Sequence, residues 1–317
     1  MMDRRQLLGL TLGTGAAFGL GSRLTGAAGQ PSLLHRPIPS TRERIPVIGL
    51  GSSATFRSAA KGEDVAALRE VLDVMVARGA TVFDTAPAYG ASEEVAGRLA
   101  RELGIAQKIF WATKVNVAPR GGGSAEPAAV RAQIEESFRR FGVTVMNLIQ
   151  VHNLGDVPVQ LGILKELKEA GRVGYIGVTS TSKGQYPQLE RVMRKEPLDF
   201  IGVDYAVDNR DVEQRILPLA IERRIAVMVY VPFGRTRLFR RVGDRPLPDW
   251  AADFDAASWA QFFIKYLLGH PAVTVVTPAT SKATHMLDNI GAGIGRVPDA
   301  GTRRRMAELI DSLPKAG

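Results

Sequence analysis

Eight short runs along the chain are apolar almost without interruption: Ile45–Gly51, Thr81–Thr85, Lys108–Val115, Asn147–His152, Tyr175–Ser180, Phe200–Tyr205, Ala226–Pro232 and Thr274–Thr280. A strand with one face in water alternates apolar and polar residues, whereas a strand covered on both faces does not, so these runs predict buried parallel strands. The stretches between them carry the helical period. Val65, Leu68, Leu72, Met75 and Val76 fall on one helical face, and Gly79 ends that helix. Two further helical stretches close at Gly142 and Gly171, the first of them opening with Pro127, the order that helix termini favour. Eight strands with interleaved helices predict an α/β fold, a (β/α)8 TIM barrel occupying residues 45–317 as a single domain. No Gly-x-Gly-x-x-Gly follows any of the runs, so a Rossmann domain lacks its phosphate-binding turn.

The front of the chain is patterned differently. Arg4 and Arg5 precede a stretch without charge from Gln6 to Ser22, and small residues gather around Ala27 and Ala28. That is the plan of an export signal peptide over residues 1–28, of the twin-arginine type that carries folded proteins to the periplasm. The apolar stretch is short and glycine-rich, which argues against stable membrane insertion once the signal is removed. Residues 29–44, rich in Pro, Ser and Arg, read as a loose tether.

Composition narrows the chemistry. The 41 basic and 32 acidic residues give +9, of which Asp3, Arg4, Arg5 and Arg23 supply +2, leaving +7 for the rest. The basic residues are scattered apart from short runs at Arg235–Arg241 and Arg303–Arg305, which is no nucleic-acid footprint. There is no cysteine, and His35, His152, His270 and His285 share no metal-ligand spacing, so no metal site is expected.

A barrel of this kind reads its substrate at the C-terminal ends of its strands. The second run ends in Asp84 with Tyr89 just beyond, the third holds Lys114 near its end, the fourth ends in His152, and Tyr230 lies in the seventh. A phenol is a poor acid at neutral pH, and a neighbouring ammonium stabilises its anion. Lys114 supplies that charge, Asp84 holds Lys114, and His152 orients a substrate oxygen, so that Tyr89 exchanges a proton with a carbonyl or alcohol substrate. The chain offers no hydride donor, which calls for a nicotinamide.

The segments FDTAPAYGASEEVAGRLAR, WATKV and LIQVH resemble three signature segments of the aldo-keto reductase superfamily, and the resemblance extends over roughly Ile45 to Asn289. It implies a catalytic tetrad of Asp84, Tyr89, Lys114 and His152. It also implies a nicotinamide held by Thr179 and Ser180, where the family carries Ser and Asn, with Tyr230 stacked on the ring. The family's strand-six Gln is replaced by Gly202. The resemblance further places Phe233, Gly234 and Arg235 around the pyrophosphate, with Arg237 nearby. Thr280, Ser281 and Lys282 fall by a 2′-phosphate, beside His285, and Asp288 and Asn289 by the adenine. NADP is therefore the expected cofactor, with NAD the alternative. Phe56, Trp111, Asn116 and Phe233 are candidates to line the substrate pocket. Three classes of function stay open: a working oxidoreductase, a non-catalytic nicotinamide-binding sensor or partner subunit, and a lyase or aldolase barrel using Lys114.

Overall fold

The computed structural model describes residues 32–53, 55–56 and 65–314. Two short strands, β1 (His35–Pro37) and β2 (Arg44–Pro46), pair antiparallel. Then follow β3 (Gly49–Gly51), α1 (Val65–Ala77), β4 (Val82–Asp84), α2 (Ser92–Glu102), β5 (Phe110–Val115), α3 (Pro127–Phe141), β6 (Met146–Val151) and α4 (Val157–Glu169). The second half holds β7 (Val173–Ser180), α5 (Tyr186–Lys195), β8 (Phe200–Asp204), α6 (Ile216–Glu222), β9 (Ala226–Tyr230), α7 (Arg237–Val242), α8 (Trp259–Leu268), β10 (Val273–Val276), α9 (Ala283–Gly291) and α10 (Ala300–Ser312). Strands β3 to β10 are hydrogen-bonded in sequence order, each parallel to the next. Parallel bridges Ile48–Val276 and Gly51–Ala279 join the last strand back to the first, so the sheet closes as a (β/α)8 barrel. Each predicted apolar run overlaps one barrel strand, with β6, β7 and β10 starting one or two residues ahead of their runs.

Helix ends follow the sequence signals. Glu126 accepts from the backbone N–H groups of Ala128 and Ala129 ahead of α3, with Pro127 at its first turn. Gly142 ends that helix at φ 69°, where a residue with a Cβ would be strained.

Two apolar layers result. The larger lies between the strands and the surrounding helices, and the smaller fills the barrel with Val82, Phe110, Ala112, Leu148, Phe200, Met228 and Val275. Ile38 and Ile45 belong to that inner layer, and Ile38 is fully buried. The β1–β2 hairpin is thus part of the fold. Thr41 and Glu43 bond the Tyr175 hydroxyl, and Arg36 donates to the carbonyls of Leu268, His270 and Val273. From residue 32 onward the expected tether is therefore a packed element. Its strands are three residues each, too short for any period, and Ile38, set between two prolines, joins Ile45 at the start of the first apolar run to carry the packing.

The expected export signal and the first residues of the tether lie outside the described residues. Among those described, no helix is long and apolar enough to cross a membrane.

Candidate active site

Strand register brings the ionisable residues together. Asp84, the last residue of β4, pairs with Ala112 on β5, so Lys114 emerges one pleat further toward the same mouth. Lys114 in turn pairs with Gln150 on β6, two residues before His152, and Asp204 at the end of β8 pairs with Tyr230 on β9.

The Lys114 ammonium donates to Asp84 Oδ1 at 2.9 Å, to Oδ2 at 2.8 Å and to the Thr85 carbonyl at 2.7 Å, which engages all three of its N–H groups. Burial works to lower the lysine's pKa, but the Asp84 carboxylate and Tyr89 outweigh it and hold the group above its ordinary value. Lys114 is a fixed positive charge. Burial pushes the Asp84 carboxyl up from its ordinary value, against the pull of Lys114 and the Tyr230 hydroxyl.

Tyr89 comes from the turn between β4 and α2, where its N–H bonds the Ala86 carbonyl at 2.9 Å. The ring is half-buried, its centroid 5.1 Å from Lys114 Nζ, and it meets His152 edge to face with centroids 5.8 Å apart. The His152 imidazole is pushed down to about 3 by burial and by the charges of Lys114 and Arg120. At neutral pH it is an uncharged group able to donate one hydrogen bond. The four tetrad positions expected from the sequence therefore converge at one mouth of the barrel.

Tyr230 joins them in a way the sequence did not suggest. Its hydroxyl points into the barrel, accepting from Gln150 Nε2 at 2.9 Å and donating to Asp84 Oδ1 at 3.2 Å. Gln150 sits inside the LIQVH segment two residues before His152, a spacing that along a strand means the same face.

The expected cofactor residues fall into three groups. Thr179 accepts from the Asn153 N–H at 2.9 Å, and Ser180 donates to Gln185 Oε1 at 3.2 Å, while Gln185 donates to the Asn153 carbonyl. A cavity of about 480 Å³ opens beside β8 and β9, with Gly234, Arg235, Arg237 and Lys183 among its lining residues. Here Arg237 grips Asp208 through two bonds of 2.8 and 2.9 Å, and Lys183 pairs with Asp211. Phe233 packs against Phe239 and Phe263 behind this loop. Val231, Gly234, Arg235 and Thr236 all have positive φ, a backbone bent tightly around the opening. On the far side, the Thr280 hydroxyl accepts from the Lys282 N–H at 3.1 Å and shapes the turn into α9, where Lys282 is exposed and Ser281 half-buried.

Asp288 also carries a structural load. Its carboxylate accepts from the Ser258 hydroxyl at 2.8 Å and from Gln261 at 2.8 Å, tying α9 to the start of α8, and Asn289 beside it is buried. Phe56 and Trp111, expected to line the pocket, are instead buried in the outer core against Phe83. Among the described residues, no group of three or more acidic or imidazole side chains is placed to hold a metal ion.

The sequence profile of the aldo/keto reductase family matches residues 47–300. The chain belongs to the aldo/keto reductase family. Members of this family are oxidoreductases acting on small-molecule carbonyl compounds. Among its relatives, aldo-keto reductase str7 of Strobilurus tenacellus is 27% identical over 256 residues, covering 70% of this chain and 75% of that one. YhdN of Bacillus subtilis is 30% identical over 191 residues, 58% of this chain and 57% of the relative's length. Among solved structures, an aldo-keto reductase from Klebsiella pneumoniae in complex with NADPH superposes with TM-score 0.71 at 21% identity, over 88% of this chain and 96% of that one. The holo form of aldo-keto reductase AKR11C1 from Bacillus halodurans gives 0.70 at 20% identity, over 87% and 96%.

The His152 environment has a measurable cost in acid. An imidazole held near 3 in the fold and near 6.5 when unfolded leaves stability intact above pH 6.5, and stability falls as acid protonates the unfolded chain first. His270, held near 4, adds in the same direction. Unfolding free energy measured with denaturant should therefore drop between pH 6.5 and 4, and His152→Gln should make that slope shallower. An unchanged slope would mean the imidazole is not held neutral.

Proposed function

We propose that this protein is an NADP(H)-dependent carbonyl reductase or alcohol dehydrogenase in which Tyr89 is the general acid and base. The observation that carries the reading is the Tyr89 ring seated 5.1 Å from a fully bonded, buried lysine, with a neutral imidazole at its edge. In the direction of reduction, Tyr89 gives its proton to the carbonyl oxygen. The Lys114 charge stabilises the phenolate left behind, and His152 donates a hydrogen bond that orients the same oxygen. In oxidation the proton returns to Tyr89. A nicotinamide dinucleotide, when bound, would supply or remove the hydride at the substrate carbon.

The residues present fit such a nucleotide. The cavity beside β9 offers room and basic groups, and the two-pronged grip of Arg237 on Asp208 is already the geometry that a phosphate oxygen pair would take. Arg235, Arg237 and Lys183 would hold the pyrophosphate, with Gly234 letting the loop pass close. Thr179 and Ser180 would offer hydroxyls to the carboxamide, and Phe233 would back the loop. At the turn into α9, Thr280, Ser281 and Lys282 would meet the 2′-phosphate, which favours NADP over NAD. Asp288 and Asn289 would shape the adenine end, Asp288 by fixing α8 against α9. Lys114 as an amine nucleophile, the lyase or aldolase alternative, is disfavoured by the same pair, because a lysine held charged has no lone pair to attack with.

Tyr89→Phe removes one proton and little packing, so it should lower carbonyl reduction by about a hundredfold to ten-thousandfold while NADPH still binds. Retention of most of the wild-type rate on an established substrate would contradict the assignment.

We also propose export by the twin-arginine route, supported by Arg4, Arg5 and the uncharged stretch from Gln6 to Ser22. Fractionation should find the wild-type protein in the periplasm and the Arg4→Lys, Arg5→Lys double variant retained inside the cell. Equal export of both would remove the proposal.

A further inference from the structure

The hydroxyl edge of the Tyr230 ring packs against Gly202 on the neighbouring strand. A Cβ built at Gly202 would stand 2.3 Å from Tyr230 Cε2, 2.5 Å from its hydroxyl oxygen and 2.7 Å from Cζ. Any side chain at position 202, alanine included, would displace the ring. The ring in this place spans three strands, taking a hydrogen bond from Gln150 on β6 and giving one to Asp84 on β4. A phenol has a single proton, so with the Gln150 amide donating, that proton goes to the carboxylate. Lys114 Nζ stands between two phenols, 5.1 Å from the Tyr89 centroid and 5.0 Å from that of Tyr230.

We propose that Tyr230 is a positioning residue of the proton-transfer site, holding Asp84 through its hydroxyl, and that Gly202 is the vacancy that admits it. The inference rests on the reading of Tyr89 as the general acid. Asp84 Oδ1 is shared between Lys114 and Tyr230, and each bond disperses part of the carboxylate charge. Without the hydroxyl, that charge is left more concentrated beside Lys114, so the ammonium's field at Tyr89 is more fully cancelled and a phenolate there is harder to form. The ionisable groups around the Tyr230 hydroxyl are Asp84 from β4, Lys114 from β5 and Tyr89 from the turn after β4, with His152 beyond Tyr89. Burial, with Asp84 and Tyr89 nearby, pushes the Tyr230 hydroxyl far above the usual phenol range, so it stays a donor throughout. The missing Gln and the retained aromatic, one departure and one match in the sequence, are here one arrangement.

Tyr230→Phe separates this role from stacking on a nicotinamide, because phenylalanine keeps the ring face and removes only the hydroxyl. The full chain would be measured three ways: NADPH affinity by fluorescence titration, kcat against pH, and tyrosinate absorbance against pH in the nucleotide-free protein. The proposal expects NADPH affinity within about twofold of wild type, kcat lowered about tenfold, and the midpoint of the pH profile raised by about half a unit or more. The tyrosinate signal that disappears in Tyr89→Phe should move to higher pH by the same amount. Gly202→Ala, which evicts the ring without touching a polar group, should move both midpoints in the same direction and covers the case of a poorly folded Tyr230→Phe. Midpoints that coincide with wild type in both variants would overturn the proposal. The absorbance titration needs no turnover, so a wild-type protein that reduced no carbonyl would count against Tyr89 as the acid and leave the positioning role separately measurable.

Discussion

Lys114 and Asp84 form a salt bridge that water hardly reaches, their side chains 1% and 4% exposed, and the rest of the site is arranged around it. Removing two ions from water costs several kcal/mol for each, and their attraction returns this only where geometry is good and every remaining donor is satisfied. Both conditions hold, with two bonds to the carboxylate and one to the Thr85 carbonyl. Taking away either partner alone would leave a bare buried charge, a loss of about 3–5 kcal/mol. A hydrophobic pair would pack as well, so the value of this one lies in where it fixes a positive charge.

That location follows from the closed barrel. Parallel register sets Lys114 one pleat past the partner of Asp84, and the turn after β4 brings Tyr89 over the same ammonium. The charge acts on its neighbours with opposite consequences. It helps keep the His152 imidazole neutral, a hydrogen-bond donor that competes with no proton, and it stands 5.1 Å from the centre of the Tyr89 ring. In the proposed reduction, this one fixed cation would separate the two roles needed, a proton source at Tyr89 and an oxygen-orienting group at His152.

What was legible in the sequence is what repeats or clusters. Eight apolar runs without alternation have few meanings other than buried parallel strands, and Asp84, Lys114 and His152 stood out because ionisable groups at the ends of such runs need partners. The β1–β2 hairpin was not legible, because Ile38 and Ile45 gain their burial from the barrel's inner layer and not from any local period. The load on Asp288 was hidden for a similar reason, since its partners Ser258 and Gln261 lie on another helix. Gly202 and Tyr230 could each be read as a departure or a match, but their contact is a property of neighbouring strands, which a single strand's sequence does not contain.

The central claim is that the Lys114 charge acts on the Tyr89 proton, and the pH dependence of kcat in a lysine-free site tests it most directly. The double variant Lys114→Met with Asp84→Asn leaves no unpaired buried charge, so the barrel remains measurable. The account predicts a rate reduced by about a hundredfold or more with its midpoint displaced to higher pH. A variant that stays active with the wild-type pH profile would contradict it.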